Sequence, residues 1–168
     1  RVVVAEILPD EVLPGVHLGI SRLDALGRAP GAPQHNIDVT GEICVSAGHV
    51  KDRYDRLWAT EQASSRDPGW HRTGDVGHLD AAGRLWVEGR LAHVITAADG
   101  PITPVGAEQR IEARAPVTGA ALVGVGPQGT QQAVAIVMTA APARAGLADD
   151  ELAHAVRVAA ELPLAAVL

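Results

Sequence analysis

The stretch Trp70-His-Arg-Thr-Gly-Asp75-Val-Gly-His-Leu-Asp80-Ala-Ala-Gly-Arg-Leu-Trp-Val-Glu-Gly-Arg90 decides how the rest of the chain is read. Val76, His78 and Leu79 lead into Asp80-Ala-Ala-Gly83, where Asp at the first and Gly at the fourth position suit a type I turn closed by a left-handed glycine. Beyond the turn Leu85 and Val87 alternate with Trp86, the period of a half-buried strand. The stretch predicts a β-hairpin. It also places a carboxylate, Asp75, in a turn after Thr73-Gly74, where glycine admits a ligand close to the backbone. Fifteen residues later it places a guanidinium, Arg90.

Working outward, the segment before the hairpin has the punctuation of β structure. Short apolar runs at Val2 to Ile7, Val16 to Ile20 and Glu42 to Ser46 are separated by Pro, Gly and Asp. Leu26 to His35, with two glycines and two prolines, predicts a loop or an ill-ordered surface excursion. Arg53 to Ala63 predicts one short helix, with Tyr54, Leu57 and Trp58 on one side. After Arg90 the pattern changes. A strand at His93 to Ala97, a turn at Asp99-Gly100-Pro101 and a helix over Val105 to Ala113 come first. Strands at Ala120 to Val125 and Ala133 to Thr139 follow, then a helix opened by Asp149-Asp150, with two acids at the positive end of its dipole. The expected class is α+β: a β-rich unit over residues 1–89 and a small α+β domain over 90–168, divided near Gly89-Arg90.

Composition narrows the function. The 168 residues carry a formal charge of −6 with 47% apolar content, and 13 of the 14 cationic side chains are Arg, Lys51 being the exception. An acidic chain without a basic stripe speaks against nucleic acid or an anionic membrane as partner. No apolar run reaches the roughly 20 residues of a spanning helix, and the chain reads as soluble and cytoplasmic. Cys44, the only cysteine, is expected to pack as a small apolar residue. The start at Arg1 and the stop after the apolar Leu162 to Leu168 read as a fragment cut at both ends.

Three motifs yield to plainer readings. Gly124-Val-Gly-Pro-Gln-Gly129 satisfies the dinucleotide fingerprint literally, but Thr130 to Met138 continues as a strand, so no helix N-terminus is available for a pyrophosphate. It is expected to be a hairpin loop. The seven histidines have no ligand-like spacing, and no metal site is expected. Ser46-Ala-Gly-His49 lacks the glycine pattern of a nucleophile elbow. Asp75 and Arg90 remain. A carboxylate can accept both hydroxyls of a ribose cis-diol, and an arginine can donate to ribose and phosphate oxygens. From spacing alone, a turn cap and a surface salt bridge explain them as well.

Arg72-Thr-Gly-Asp75 resembles the Tyr/Phe-Arg-Thr-Gly-Asp motif of the adenylate-forming superfamily of acyl-CoA synthetases, luciferases and peptide-synthetase adenylation domains. Gly89-Arg90 is similar to the Gly-Arg that opens that superfamily's interdomain hinge. Thr40-Gly-Glu-Ile-Cys-Val-Ser46, Tyr54 to Thr60, Gly100-Pro-Ile-Thr-Pro104 to Glu108 and Ala120 to Val125 resemble its flanking segments in the same order. Within the superfamily, Trp70-His-Arg, Asp75 to Trp86 and Gly89-Arg-Leu-Ala-His93-Val look most like the β-lactone synthetases of bacterial olefin biosynthesis. An acyl-CoA synthetase usually carries Asp or Lys where Ala92 stands.

The resemblance implies an enzyme that binds ATP and Mg2+, mainly through parts absent from this chain, and converts a 3-hydroxy fatty acid through an acyl-adenylate to a β-lactone. Asp75 would anchor the ribose with Thr73 beside it, Arg90 would hold ribose or phosphate and mark the pivot, and His93 would be the base of the second half-reaction. Its partners would be these small molecules and other enzymes of the olefin pathway. The superfamily's phosphate loop would precede Arg1 and its adenylation lysine would follow Leu168. Lys51 is in the wrong domain to replace it, so the chain alone is expected to be inactive. A fatty-acyl-CoA ligase, an amino-acid adenylation domain and a non-catalytic remnant acting as scaffold or regulatory module are the alternatives.

Overall fold

A computed structural model describes residues 14–48, 58–140 and 148–168. The strand expected at Val2 to Ile7, together with His49, Lys51 and Tyr54, lies outside the described residues. The described residues fall into two compact units that divide between Ala92 and His93, with residues 25–27 grouped with the second.

The first unit is one antiparallel four-stranded sheet in chain order, β1 (His17–Arg22), β2 (Gly41–Ser46), β3 (His71–Leu79) and β4 (Leu85–Arg90), with helix α1 (Trp58–Ser64) between β2 and β3. Ile20, Ile43, Leu79 and Leu85 form its core, with Leu18 and Val87 packed against them. The predicted hairpin is β3–β4. Asp80 builds its turn: the main-chain Gly83 N–H donates to Asp80 O at 2.8 Å, and Oδ1 accepts the amides of Ala82 at 2.9 Å and Arg84 at 3.0 Å. Gly83 supplies the left-handed corner at φ +77°. Two breaks in register shape the sheet, one opposite Glu42 to Cys44 on β2 and one on β4, where Glu88 is the extra residue between the pairs Gly77–Val87 and Val76–Gly89.

A 3-10 turn at Leu91–His93 spans the division, and the second unit continues with the small ribbon β5 (Ile95–Ala97) and β6 (Gly100–Ile102). Helix α2 (Val105–Glu112), strands β7 (Val117–Val125) and β8 (Gln132–Thr139), helix α3 (Asp150–Ala160) and strand β9 (Ala166–Val167) complete it. Its sheet has the order β7-β8-β9, with β9 parallel to β8. Ala107 and Ile111 of α2 and Ala153, Val156, Ala159 and Ala160 of α3 supply helical stripes to a core shared with Ile95, Leu122 and Ala135. Asp149 caps α3, accepting the Leu152 amide at 2.8 Å. The arrangement is α+β.

Three readings need correction. Leu26 to His35 is a loop, as one of the two alternatives had it, but not an ill-ordered one: Ile20 and Gln34 pair through both main-chain groups, and the carbonyls of Ala29 and Gly31 are held by buried side chains. Asp75 stands within strand β3 rather than in a turn; the left-handed Gly74, at φ +75°, bends the strand without ending it. The apolar C-terminal stretch contains β9, which sequence periodicity misses because two paired residues are too few to show alternation.

Candidate nucleotide-ribose edge

The candidate site is the end of β3 and β4 remote from their turn. Asp75 and Arg90 are register partners there, and the Arg90 guanidinium lies 3.1 Å from Asp75 Oδ1. The Asp75 side chain is 36% exposed and that of Arg90 62%. An ion pair this open to water contributes about 0–1 kcal/mol. The carboxylate is therefore presented at a surface, with a cation beside it, at little cost to any ligand that competes for either group.

The backbone that carries Asp75 is held from behind. Thr73 Oγ1 donates to the Ile43 carbonyl at 2.9 Å and accepts the Asp75 amide at 3.0 Å, so its hydroxyl is tied into the sheet as donor and as acceptor. Thr73 shapes the strand beneath Asp75. Glu42, buried on β2, accepts the Gly74 amide through Oε1 at 3.2 Å and the Arg72 guanidinium through Oε2 at 2.5 Å. Arg72 is 3% exposed and spends its donors on Glu42, on Asp67 at 2.6 Å, on the carbonyls of Ala29 at 3.0 Å and Gly31 at 2.6 Å, and on Ser21 Oγ at 3.2 Å. Burial alone would lower the Arg72 pKa; its hydrogen bonds to Asp67 and Glu42 more than offset this and hold the guanidinium above its ordinary value. Glu42 and Arg72, which brace the strand beneath Asp75, are the residues that reading for ligand-binding groups misses. The available signal is two charged residues inside strands of otherwise apolar character, since such charges must find partners.

Nearer the turn, His78 and Glu88 meet with Nδ1 and Oε1 2.5 Å apart, Glu88 being the bulged residue of β4. His78 stacks on Trp86, and the Trp86 indole donates to Asp80 Oδ2 at 2.9 Å. The Cys44 thiol is fully buried beneath the sheet, and burial pushes its pKa up to about 12. It packs as a small apolar residue and is no nucleophile.

His93 belongs to the second unit. It is the last residue of the 3-10 turn, exposed, and has no hydrogen-bond or ion-pair partner among the described residues. The glycine-rich stretch Gly124 to Gly129 ends β7 and enters the β7–β8 hairpin connection; the Gly129 N–H donates to the buried Thr96 Oγ1 at 2.8 Å, and Gln131 binds both Thr96 main-chain groups. Strand β8 follows it, so no helix N-terminus stands there to face a phosphate. Among the described residues no three His, Cys, Asp or Glu side chains gather into a group that could hold a metal, and no helix is long and apolar enough to cross a membrane.

No protein-family model matches the chain. Curated relatives do. Over 105 residues, 58% of this chain, it is 40% identical to an olefin β-lactone synthetase from Xanthomonas campestris pv. campestris, and over 83 residues, 49% of the chain, it is 37% identical to the nonribosomal peptide synthetase atqA from Aspergillus terreus. The o-succinylbenzoate-CoA synthetase from Bacillus subtilis, solved with its acyl-adenylate intermediate, superimposes on 93% of this chain with a TM-score of 0.71 at 25% identity. These relatives and structural neighbours are adenylate-forming enzymes, and the chain resembles their C-terminal portion. It spans 19% of the Xanthomonas relative, 8% of the Aspergillus one and 31% of the Bacillus structure. The likeness of fold extends over both units, since the structural match takes in nearly the whole chain.

Proposed function

We propose that this chain carries the ribose-binding edge and the hinge of an ATP-dependent acyl-adenylating enzyme whose substrate is a 3-hydroxy fatty acid and whose product is a β-lactone. The observation that carries the nucleotide role is Asp75: an exposed carboxylate on a strand held by Thr73 and Glu42, with Arg90 as its register partner. Its oxygens accept the 2′- and 3′-hydroxyls of the ATP ribose, and Arg90 donates to ribose or phosphate oxygens. Gly89-Arg90, with the turn that follows, is the hinge, dividing residues 1–89 from 90–168. ATP enters as its Mg2+ complex, and the described residues act on its sugar.

In the first half-reaction a substrate carboxylate oxygen bonds to the α-phosphorus and pyrophosphate leaves. In the second, the β-hydroxyl oxygen attacks the acyl carbonyl, AMP leaves with the bonding pair, and the hydroxyl proton passes to a base. His93, exposed and without a partner among the described residues, is that base. Holding the hydroxyl against the carbonyl is a proximity problem, which a change of arrangement between half-reactions serves. The lactone outcome is supported by the 40% identity to the olefin β-lactone synthetase and by Ala92 two residues after the hinge arginine.

Product analysis of the full-length protein with ATP and a 3-hydroxy fatty acid tests this reading. AMP, pyrophosphate and β-lactone in the absence of coenzyme A are expected. A second reading, acyl transfer to coenzyme A, is favoured by the likeness to the Bacillus CoA synthetase. AMP release that requires free coenzyme A selects it.

A further inference from the structure

We infer that Glu42, held by Arg72, is a positioning residue for nucleotide binding: it fixes the Gly74 amide and through it the direction of the Asp75 carboxylate. The inference rests on the proposed ribose role of Asp75.

The geometry is a three-part relay inside the first unit. Glu42 has two oxygens and two separate tasks, Oε2 against the Arg72 guanidinium at 2.5 Å and Oε1 against the Gly74 N–H at 3.2 Å. Gly74 is the residue before Asp75 and sits at φ +75°, the one left-handed position in β3. A strand bent there has a peptide plane that β2 does not fix, because the β2–β3 register breaks between the pairs Glu42–Val76 and Cys44–Arg72. Residues 73 to 75 thus lack strand partners on β2, and side chains replace them: Thr73 Oγ1 takes the Asp75 amide and Glu42 takes that of Gly74. Both restraints bear on the segment whose rotation would re-aim Asp75.

Arg72 makes Glu42 usable for this. A carboxylate as buried as Glu42 stays charged only with a partner, and its orientation is free unless the partner is itself fixed. The planar guanidinium is fixed by Asp67, by the carbonyls of Ala29 and Gly31 and by Ser21. The ordered loop around Ala29 therefore forms the back wall of the relay, and the surface carboxylate is its front. The arginine of Arg72-Thr-Gly-Asp75 works behind the sheet while the aspartate works in front.

The test is a double-mutant cycle read by ATP affinity in the full-length protein without acyl substrate, using Asp75→Asn, Glu42→Gln and the pair together. Glutamine keeps the size of Glu42 but offers one acceptor oxygen, so it serves Arg72 or Gly74 and not both. Glu42→Gln is expected to weaken ATP binding about fivefold to tenfold, the range of one lost hydrogen bond. The double variant is expected to bind no more weakly than Asp75→Asn alone, because Glu42 acts through Asp75. Wild-type affinity in Glu42→Gln, or losses that multiply in the double variant, overturns the positioning role. Wild-type affinity in Asp75→Asn overturns the ribose reading itself, and this role with it. Should Glu42→Gln fail to fold, Glu42→Asp, which keeps the charge and is too short to span both partners, carries the same expectations.

Discussion

Asp75 and Arg90 stand opposite each other on β3 and β4, 3.1 Å apart and both open to solvent, although 14 residues of hairpin separate them in the chain. The pairing depends on the bulge at Glu88, which offsets the β4 register by one residue between Val87 and Gly89. The two residues that the sequence offers for ribose and hinge are thereby one structural unit, and what touches one is felt by the other.

Because the pair is exposed, Arg90 should matter for ligand and little for stability. Arg90→Ala is expected to change unfolding free energy by less than about 1 kcal/mol, while lowering ATP affinity of the full-length protein. Thermal melts and ATP titrations on the same variant check both halves; a large melting shift would mean that the pair is a structural clamp instead.

Asp80 gives the hairpin a defined pH dependence. Its hydrogen bond from the Trp86 indole, followed by those from Arg84 and Ala82, holds its pKa well below the ordinary carboxylate range. A depressed pKa means that its contribution is present above the unfolded value of about 4 and is lost as pH falls below it. Asp80→Asn is expected to flatten the acid limb of the stability profile between about pH 5 and pH 2, measured by denaturant unfolding across that range. An unchanged slope would contradict the assignment.

The buried Cys44 thiol has the opposite sign. With its pKa pushed up to about 12, its contribution is present below the ordinary thiol value and is lost as pH rises above that value. Native protein treated with iodoacetamide at about pH 9, where an ordinary thiol is largely reactive, is expected to remain unmodified at Cys44 and to be alkylated once unfolded, as read by mass spectrometry. Rapid native alkylation would show that the first unit opens readily.

The hairpin, the helical stripes and the plain hairpin at Gly124 to Gly129 were legible because each is written in local periodicity or turn chemistry. Asp80-Ala-Ala-Gly83 specifies its own turn, and Asp149-Asp150 marks the start of its own helix. What stayed hidden depends on residues far apart in sequence. Arg72 meets Ala29 across 43 positions and Glu42 across 30, so neither the order of the Leu26 to His35 segment nor the bracing of Asp75 is visible in any short window. Glu108 and Glu112 are similar: their carboxylates, on α2, accept the Leu122 and Ala120 amides on the open edge of β7, more than seven residues on. Such edge protection is a tertiary relation. Asp75 itself was legible as a carboxylate beside a glycine in a hairpin, and the bend at Gly74 that keeps it within the strand was not.

The most direct test of the ribose assignment compares ATP with 2′,3′-dideoxy-ATP on the full-length protein, with and without Asp75. Each charge-assisted hydrogen bond to a ribose hydroxyl is worth about 1.5–3 kcal/mol, so wild type is expected to prefer ATP by at least about tenfold. Asp75→Ala is expected to bind the two nucleotides almost equally. Discrimination that survives intact in Asp75→Ala would contradict the account.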